Sequence, residues 1–349
     1  MDATTVAVDL AKDVFEVAEA DAAHRVIGRR RLTRRQFERF LAQCPRDTVV
    51  VMEACGTAQY WGRRCQALQL RPVLLPVQYV RAYVRRNKSD RTDAEALLEA
   101  RRCDSMLPVP IKTAEQQALQ GLHRVRQQWQ QTRTARINAL RGLLREQGVL
   151  LRRGRAALRD VPHLVDTSAL PYFVQLAATE LLEEIRTLTE RVTRLDDQLQ
   201  VLADTEENTR RLQTIPGIGV VTATALLGSV PHIHAFRRGR HFASWLGLTP
   251  REASSGHRHW RGRISKRGDV YLRTLLIHGA RSVINNARRR MRHGGRPLTA
   301  LQRWAVGVAD RRGVNKGAVA LANKLARVIW AVWRSAGDFG TWRAAPPAA

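Results

Sequence analysis

Residues Thr48–Glu53 read TVVVME, a short, continuous, β-branched run that stops on a carboxylate. A run of this length without polar alternation belongs to a strand covered on both faces, at the centre of a sheet. Working outward, TVAVDLA (Thr5–Ala11), DVFEVAEA (Asp13–Ala20) and HRVIGRRRL (His24–Leu32) read as three earlier strands in a meander. RRQFERFLAQC (Arg34–Cys44) reads as the helix that carries the chain from that meander to the central strand. Downstream, QYWGRRCQALQL (Gln59–Leu70) reads as a helix, RPVLLPV (Arg71–Val77) as a strand, and the AEALLEA run as a further helix. Tyr60 and Trp61 read as core residues.

Three strands, helix, strand, helix, strand, helix is the element order of a ribonuclease-H-like domain, whose sheet presents carboxylates from strand ends. Here Asp9 ends the first strand and Glu53 the central one. NKSDRTDAEAL (Asn87–Leu97) adds Asp90 and Asp93, which project from one face of a helix's first turn, with Ser89 or Thr92 as its cap. Taken alone, two acids in a first turn are an ordinary complement to the helix dipole. Four carboxylates converging on one sheet edge are different, because they repel and raise one another's pKa unless a divalent cation neutralises them. Hard oxygen ligands favour Mg²⁺ or Mn²⁺, and such ions serve phosphoryl transfer.

Composition points to a polyanionic partner. Of the 349 residues, 59 are Lys or Arg against 31 Asp or Glu, a formal charge of +28. So large an excess is best explained by nucleic acid, and six lysines leave the rest to arginine, the bidentate phosphate ligand. No apolar run approaches the roughly 20 residues of a bilayer span, so no membrane partner is expected. The acidic opening MDATTVAVDLAKD is no signal peptide, and a cytoplasmic, nucleoid-associated location follows. Cys44, Cys55, Cys65 and Cys103 lack CxxC spacing and read as reduced packing residues.

From Ala114 the pattern is helical. Leu119, Leu122, Val125, Trp129, Ile137, Leu140 and Leu144 form an apolar stripe on a long basic helix. After a break at VPHLVDTSALP, Leu181, Ile185, Leu188, Val192, Leu195, Leu199 and Leu202 recur at alternating steps of four and three. That is a heptad seam, expected in a coiled coil or a helical hairpin, within one chain or between two. TIPGIGVVTATALLGSV (Thr214–Val230) resembles a helix-hairpin-helix whose glycines, Gly217 and Gly219, expose backbone N–H groups to a phosphate. Glycine turns also arise merely to pack helices. Between Arg251 and Ala300 thirteen cations face two acids, Glu252 and Asp269. Arg258, Arg261, Arg263, Lys266, Arg267 and Arg273 are the expected nucleic-acid contacts there. A final helix, GAVALANKLARVIWAVWRS, carries Trp330 and Trp333 as packing residues. The divisions expected are 1–110, an α/β carboxylate domain; 111–205, a helical coiled-coil or dimerisation region; and 206–349, a mainly helical domain.

VAVDLAKDVFEVA, VVVMEACGTAQYW and NKSDRTDAEAL, followed by TIPGIG, GLTPREASSG and GRISKRGDVYLRTLLIHGA, resemble the DEDD transposases of insertion sequences, a family of bridge-RNA-guided recombinases. The resemblance runs from about Thr5 to about Trp333. It implies a RuvC-like N-terminal domain in which Asp9, Glu53, Asp90 and Asp93 are the catalytic, metal-holding DEDD acids. It implies a nucleophilic serine in the SG after GLTP, Ser255 or its neighbour Ser254, in a C-terminal transposase domain. It further implies donor and target DNA, a structured guide RNA, and homodimers that assemble to a tetramer on DNA. The favoured function is a transposase that cuts and rejoins DNA through a serine-linked intermediate. The competing readings are a metal-dependent junction endonuclease in which the serine is structural, and a non-catalytic nucleic-acid-binding protein. His257 and His259 receive no role.

Overall fold

The computed structural model describes residues 4–80, 83, 90–103, 106–152, 154, 158–167, 169–256, 258–294, 297–335 and 337–340; of residues 90–92 and 166–167 it describes the backbone. The chain divides into two compact units, 1–115 and 116–349.

The first unit runs β1 (Thr5–Asp9), β2 (Val14–Ala20), β3 (Val26–Thr33), α1 (Arg34–Gln43), β4 (Val49–Glu53), α2 (Ala58–Ala67), β5 (Arg71–Leu75), α3 (Val77–Val80) and α4 (Asp90–Arg101). The strands form one five-stranded sheet in the order β3-β2-β1-β4-β5. β1, β4 and β5 are parallel, and β2 and β3 complete the antiparallel meander. Alternation sorts the central side chains. Val6, Val8, Val50 and Met52 enter a cluster with Phe37 and Leu41 of α1 and Trp61 of α2. Ala7 and Val51 enter the opposite cluster, with Ala94, Leu97 and Leu98 of α4. Both faces of β4 are thus covered, which is why TVVVME carries no polar alternation. α1 starts where Thr33 and Gln36 form a capping box. β3, at the sheet edge, is protected by charge, Arg29, Arg30 and Arg31 pairing with Glu95, Glu19 and Glu16. Trp61 is core as expected, but Tyr60 is 44% exposed and instead lies under the Arg34 guanidinium. The cysteines are free thiols, and burial pushes Cys44 up to about 11 and Cys65 to about 12.

The second unit is built on helices. α5 (Ala114–Arg145) begins at the boundary, and α6 (Val161–Thr167), α7 (Tyr172–Thr205), α8 (Glu207–Gln213), α9 (Val220–Ser229) and α10 (Gly239–Trp245) follow. A hairpin of β6 (Pro250–Glu252) and β7 (Arg261–Ile264) precedes α11 (Val270–His293), α12 (Ala300–Arg312) and α13 (Val314–Ser335). α5 and α7 run antiparallel within the chain, joined by Arg126–Asp196 and Arg136–Glu184 ion pairs. The stretch read as a break holds α6, because Val161 and Val165, one turn apart, pack on Leu140, Leu144 and Ile185. Seven residues are too few to display a period. α13 is the axis of the C-terminal core, burying Ala318, Leu321, Ala322, Leu325, Ile329 and Val332. Among the described residues no helix is long and apolar enough to cross a membrane.

One buried polar chain ties the α5–α7 pair to the C-terminal helices. Thr224 Oγ1 donates to the Val220 carbonyl at 2.8 Å, so it accepts from His123 Nε2–H at 3.1 Å. His123 Nδ1 is then the acceptor for the Tyr271 hydroxyl at 3.2 Å, and the phenol oxygen accepts from Arg126, which is itself paired with Asp196. Every member has a partner only while the imidazole is neutral. Burial, followed by the Arg126 charge, pushes His123 down to about 4.

The pH dependence follows. Between about pH 6.5 and 4 the unfolded chain binds a proton at His123 and the folded chain does not, so this stability is complete above pH 6.5 and is lost on acidification toward pH 4. The span corresponds to about 3 kcal/mol. Urea unfolding of wild type and His123→Gln at pH 7.5 and 4.5 should show the gap between them narrowing at the lower pH.

Candidate functional site

Two sets of residues are the candidates for the chemistry, one in each unit. In the first, the parallel register of β1 on β4 places Val8 opposite Met52, so Asp9 and Glu53 are neighbours at the ends of adjacent strands. Asp9 has the parity of Ala7 and Glu53 that of Val51, which puts both on the sheet face that α4 covers. Asp93 lies in the first turn of α4, one residue before the buried Ala94. Its Oδ1 is buried and, among the described residues, accepts no hydrogen bond. A buried carboxylate oxygen without a donor is costly and marks a place where a cation would be stabilised. The side chain of Asp90 lies outside the described residues. Among the described residues no three His, Cys, Asp or Glu groups gather closely enough to hold an ion. Cys55 lies within electrostatic reach of the acids: burial raises its pKa, and Glu53 and Asp9 add to the shift.

In the second unit, Ser255 sits at the tip of the β6–β7 hairpin. Glu252 pairs with Arg261, the Ala253 N–H donates to the Trp260 carbonyl at 3.1 Å, and Ser255 and Arg258 exchange bonds of 3.1 and 3.0 Å. Gly256, at φ +54°, takes the left-handed conformation that the two-residue turn needs. His257, next in sequence, lies outside the described residues. Cross-strand partners share a face and successive residues alternate. Ser255 therefore shares one face with Ala253, Arg258 and Trp260, and Ser254 the other with Glu252 and Arg261. In keeping with that parity, the Ser254 hydroxyl donates to the Glu252 carboxylate at 3.2 Å. Among the described residues the Ser255 hydroxyl has no such partner.

The cations around the hairpin divide in two. Arg258, Arg261, Arg263, Lys266 and Arg267 are exposed, and among the described residues none of them pairs with a carboxylate. Arg273, grouped with them on sequence, is instead 7% exposed and donates to the carbonyls of Leu246 at 3.0 Å and Arg267 at 3.5 Å. Its charge is consumed inside the fold, where it clamps two loops together. Those loops touch backbone to backbone: a Cβ on Gly268, at φ +95°, would lie 1.8 Å from the Trp245 carbonyl oxygen. The turn glycines of TIPGIG differ in the same way. Gly217 seats against α11, where a Cβ would come within 2.9 Å of the Gly279 carbonyl, whereas Gly219 is exposed at the start of α9. The hairpin itself was not foreseen from sequence. With both faces in solvent it shows no apolar alternation, and its one readable sign is the SG turn.

Both sets of residues fall in stretches that resemble known transposases. A model of the DEDD transposases matches residues 6–148, and that of the IS116/IS110/IS902 transposase family matches residues 209–294. The chain belongs to the DEDD transposases of insertion sequences. It is 44% identical over 336 residues to a "Probable family 20 transposase" of Pseudomonas aeruginosa, covering 95% of this chain and 97% of that protein. It is 38% identical to the transposase for insertion sequence element IS1111A of Coxiella burnetii (95% and 90% covered) and 34% identical to that for IS1328 of Yersinia enterocolitica (94% and 96%). The transposase is therefore an enzyme that acts on DNA, and DEDD membership suggests use of a divalent metal.

The two kinds of cation predict opposite phenotypes. Arg273→Ala, which strips two buried carbonyls of a charged donor, should lower stability in urea by about 3 kcal/mol. Arg263→Ala should leave stability within roughly 0.5 kcal/mol. A salt titration of DNA binding by Arg263→Ala should show the slope of log K on log salt reduced by about one.

Proposed function

We propose that this transposase cuts and rejoins DNA through a phosphodiester to Ser255, with the DEDD acids acting in the same reaction. The observation that carries the reading is the parity of the hairpin. Ser254 is tied to Glu252, while Ser255 stands on the other face beside Arg258. In the proposed step the Ser255 oxygen attacks a backbone phosphorus as its proton is withdrawn, a serine–phosphorus ester forms, and the strand leaves with a free hydroxyl. Attack by a second strand's hydroxyl reverses the chemistry and releases the serine. No bond energy is lost between the two transfers, which suits recombination better than hydrolysis does. Exposed Arg258, Arg261, Arg263, Lys266 and Arg267 are proposed to neutralise the backbone and the charge that develops on phosphorus. Gly219, at the helix start, is a further backbone contact; Gly217 and Arg273 support the site from within.

Asp9, Glu53, Asp90 and Asp93 are the proposed ligands of Mg²⁺ or Mn²⁺. The fit rests on the orphaned Asp93 oxygen and on the adjacent strand ends of Asp9 and Glu53. When bound, such an ion supplies Lewis acidity at a phosphoryl oxygen. The 3-2-1-4-5 sheet order, with its covering helix α4, supports a RuvC-like, ribonuclease-H-type fold for 1–110. The α5–α7 pair supports a coiled-coil role for 111–205, and 206–349 is the proposed serine-bearing transposase domain. A structured guide RNA, dimers that assemble to a tetramer on donor and target DNA, and a nucleoid location complete the reading. The net charge of +28 suits so much polyanion.

Purified protein with its co-expressed RNA, labelled junction DNA and magnesium should give a covalent protein–DNA adduct on denaturing gels. The adduct should persist in Ser254→Ala and vanish in Ser255→Ala and Asp93→Asn. Cleaved DNA without an adduct, undiminished by Ser255→Ala, would mean a metal nuclease instead.

A further inference from the structure

Trp260 is 56% exposed, on the same hairpin face as Ser255 and Arg258. Its surroundings hold the indole open. The six-membered ring rests on Gly262, where a Cβ would lie 2.7 Å from Cη2, so the bare glycine lets the ring lie along the strand. The next most exposed described tryptophans are both engaged: Trp304, 38% exposed, lies under the Lys324 ammonium, and Trp245, 37% exposed, stacks on Phe242. Trp260 has neither kind of partner among the described residues. It sits one rung of the ladder, about 7 Å, from the Ser255–Arg258 pair. Exposed Arg258 shares its face, and exposed Arg261 and Arg263 lie beside it along the strand on the other face.

We propose that Trp260 is a stacking platform for an unpaired base of the DNA strand whose phosphate Ser255 approaches; the choice of strand rests on the nucleophile reading above. An indole cannot read a paired base, because a duplex offers the ribbon only groove edges and phosphates. An unstacked base offers a π face, and stacking on an aromatic side chain tolerates any sequence. Arg258 draws in the backbone while the indole takes the base beside it, and Arg261 and Arg263 add to the positive field of the ribbon. A strand so held is fixed in rotation as well as in distance, which is what an in-line attack at the neighbouring phosphate requires.

The test uses the full chain carrying Ser255→Ala, which cannot form an adduct, so binding is measured apart from the serine chemistry. The probes are a single-stranded DNA oligonucleotide containing 2-aminopurine, the same sequence as RNA, and the DNA duplex. Trp260→Ala should weaken single-stranded DNA binding about tenfold and abolish 2-aminopurine quenching. The duplex affinity should change less than twofold, and Trp260→Phe should restore most of the loss. Gly262→Val, which displaces the ring, should behave like Trp260→Ala. Unchanged single-strand affinity in Trp260→Ala would overturn the proposal. So would equal losses on single strand and duplex, the mark of a ring that only packs the hairpin, or a loss confined to RNA. A missing serine adduct in wild type would remove the nucleophile reading and leave this binding result standing.

Discussion

The parallel pairing of β1 with β4 is the constraint on which the acidic site depends. A slip of one residue would send Asp9 to the α1–α2 face and out of company with Glu53. What forbids it is packing. Val6, Val8, Val50 and Met52 are all 0% exposed, and their burial contributes on the order of 6–10 kcal/mol. Like charges on neighbouring strand ends oppose this arrangement, but both side chains are only half-buried, so solvent screens the repulsion. The hydrophobic term wins, so the fold can hold like charges side by side without help from a counter-ion during folding.

The excess of positive charge is spent in three ways. On β3 three arginines are neutralised by three glutamates, which protects an edge strand from pairing with another chain. Arg273 is buried and bonded to carbonyls, where its charge is structural. On the β6–β7 hairpin the cations have no acid to pair with among the described residues, and there the field reaches outward. Counting arginines along the sequence makes no distinction among these fates. The neighbouring carboxylates and the burial decide which arginine is available to a phosphate.

Much of the first unit was legible because its elements obey simple periods. TVVVME announced a covered strand, and strand ends placed Asp9 and Glu53 with no side-chain detail. The helical stripe of α7 was equally plain, since thirty-four residues display many turns; on α5 the stripe fails at Val125, which is 40% exposed where His123 and Arg126 are buried instead. Legibility failed where the period was too short or the packing lay elsewhere. α6 is seven residues long and is stabilised by Leu140, Leu144 and Ile185, all distant in sequence. Tyr60 and Trp61 look alike on paper and Arg34 lies over both rings, yet the helix turns Trp61 into the core and leaves Tyr60 44% exposed. Arg273 belongs to a cationic run whose other members are surface residues, and only the Leu246 carbonyl singles it out.

The hairpin poses a separate physical problem, because an isolated two-stranded ribbon is marginal in water. Its base solves this. Ser265 N–H donates to the Thr249 carbonyl at 2.8 Å, Lys266 N–H to that of Gly247 at 3.1 Å, and Ile264 packs against the C-terminal core. Above Ile264 the support ends: Arg258, Trp260, Ser254 and Ser255 are all exposed. The ribbon is thus anchored at its root and unsupported at its tip, with local opening there costing little compared with unfolding the core. Whatever contacts the tip supplies the missing face. A side chain placed there would gain its final orientation from a partner that covered it, so binding and alignment would become one event.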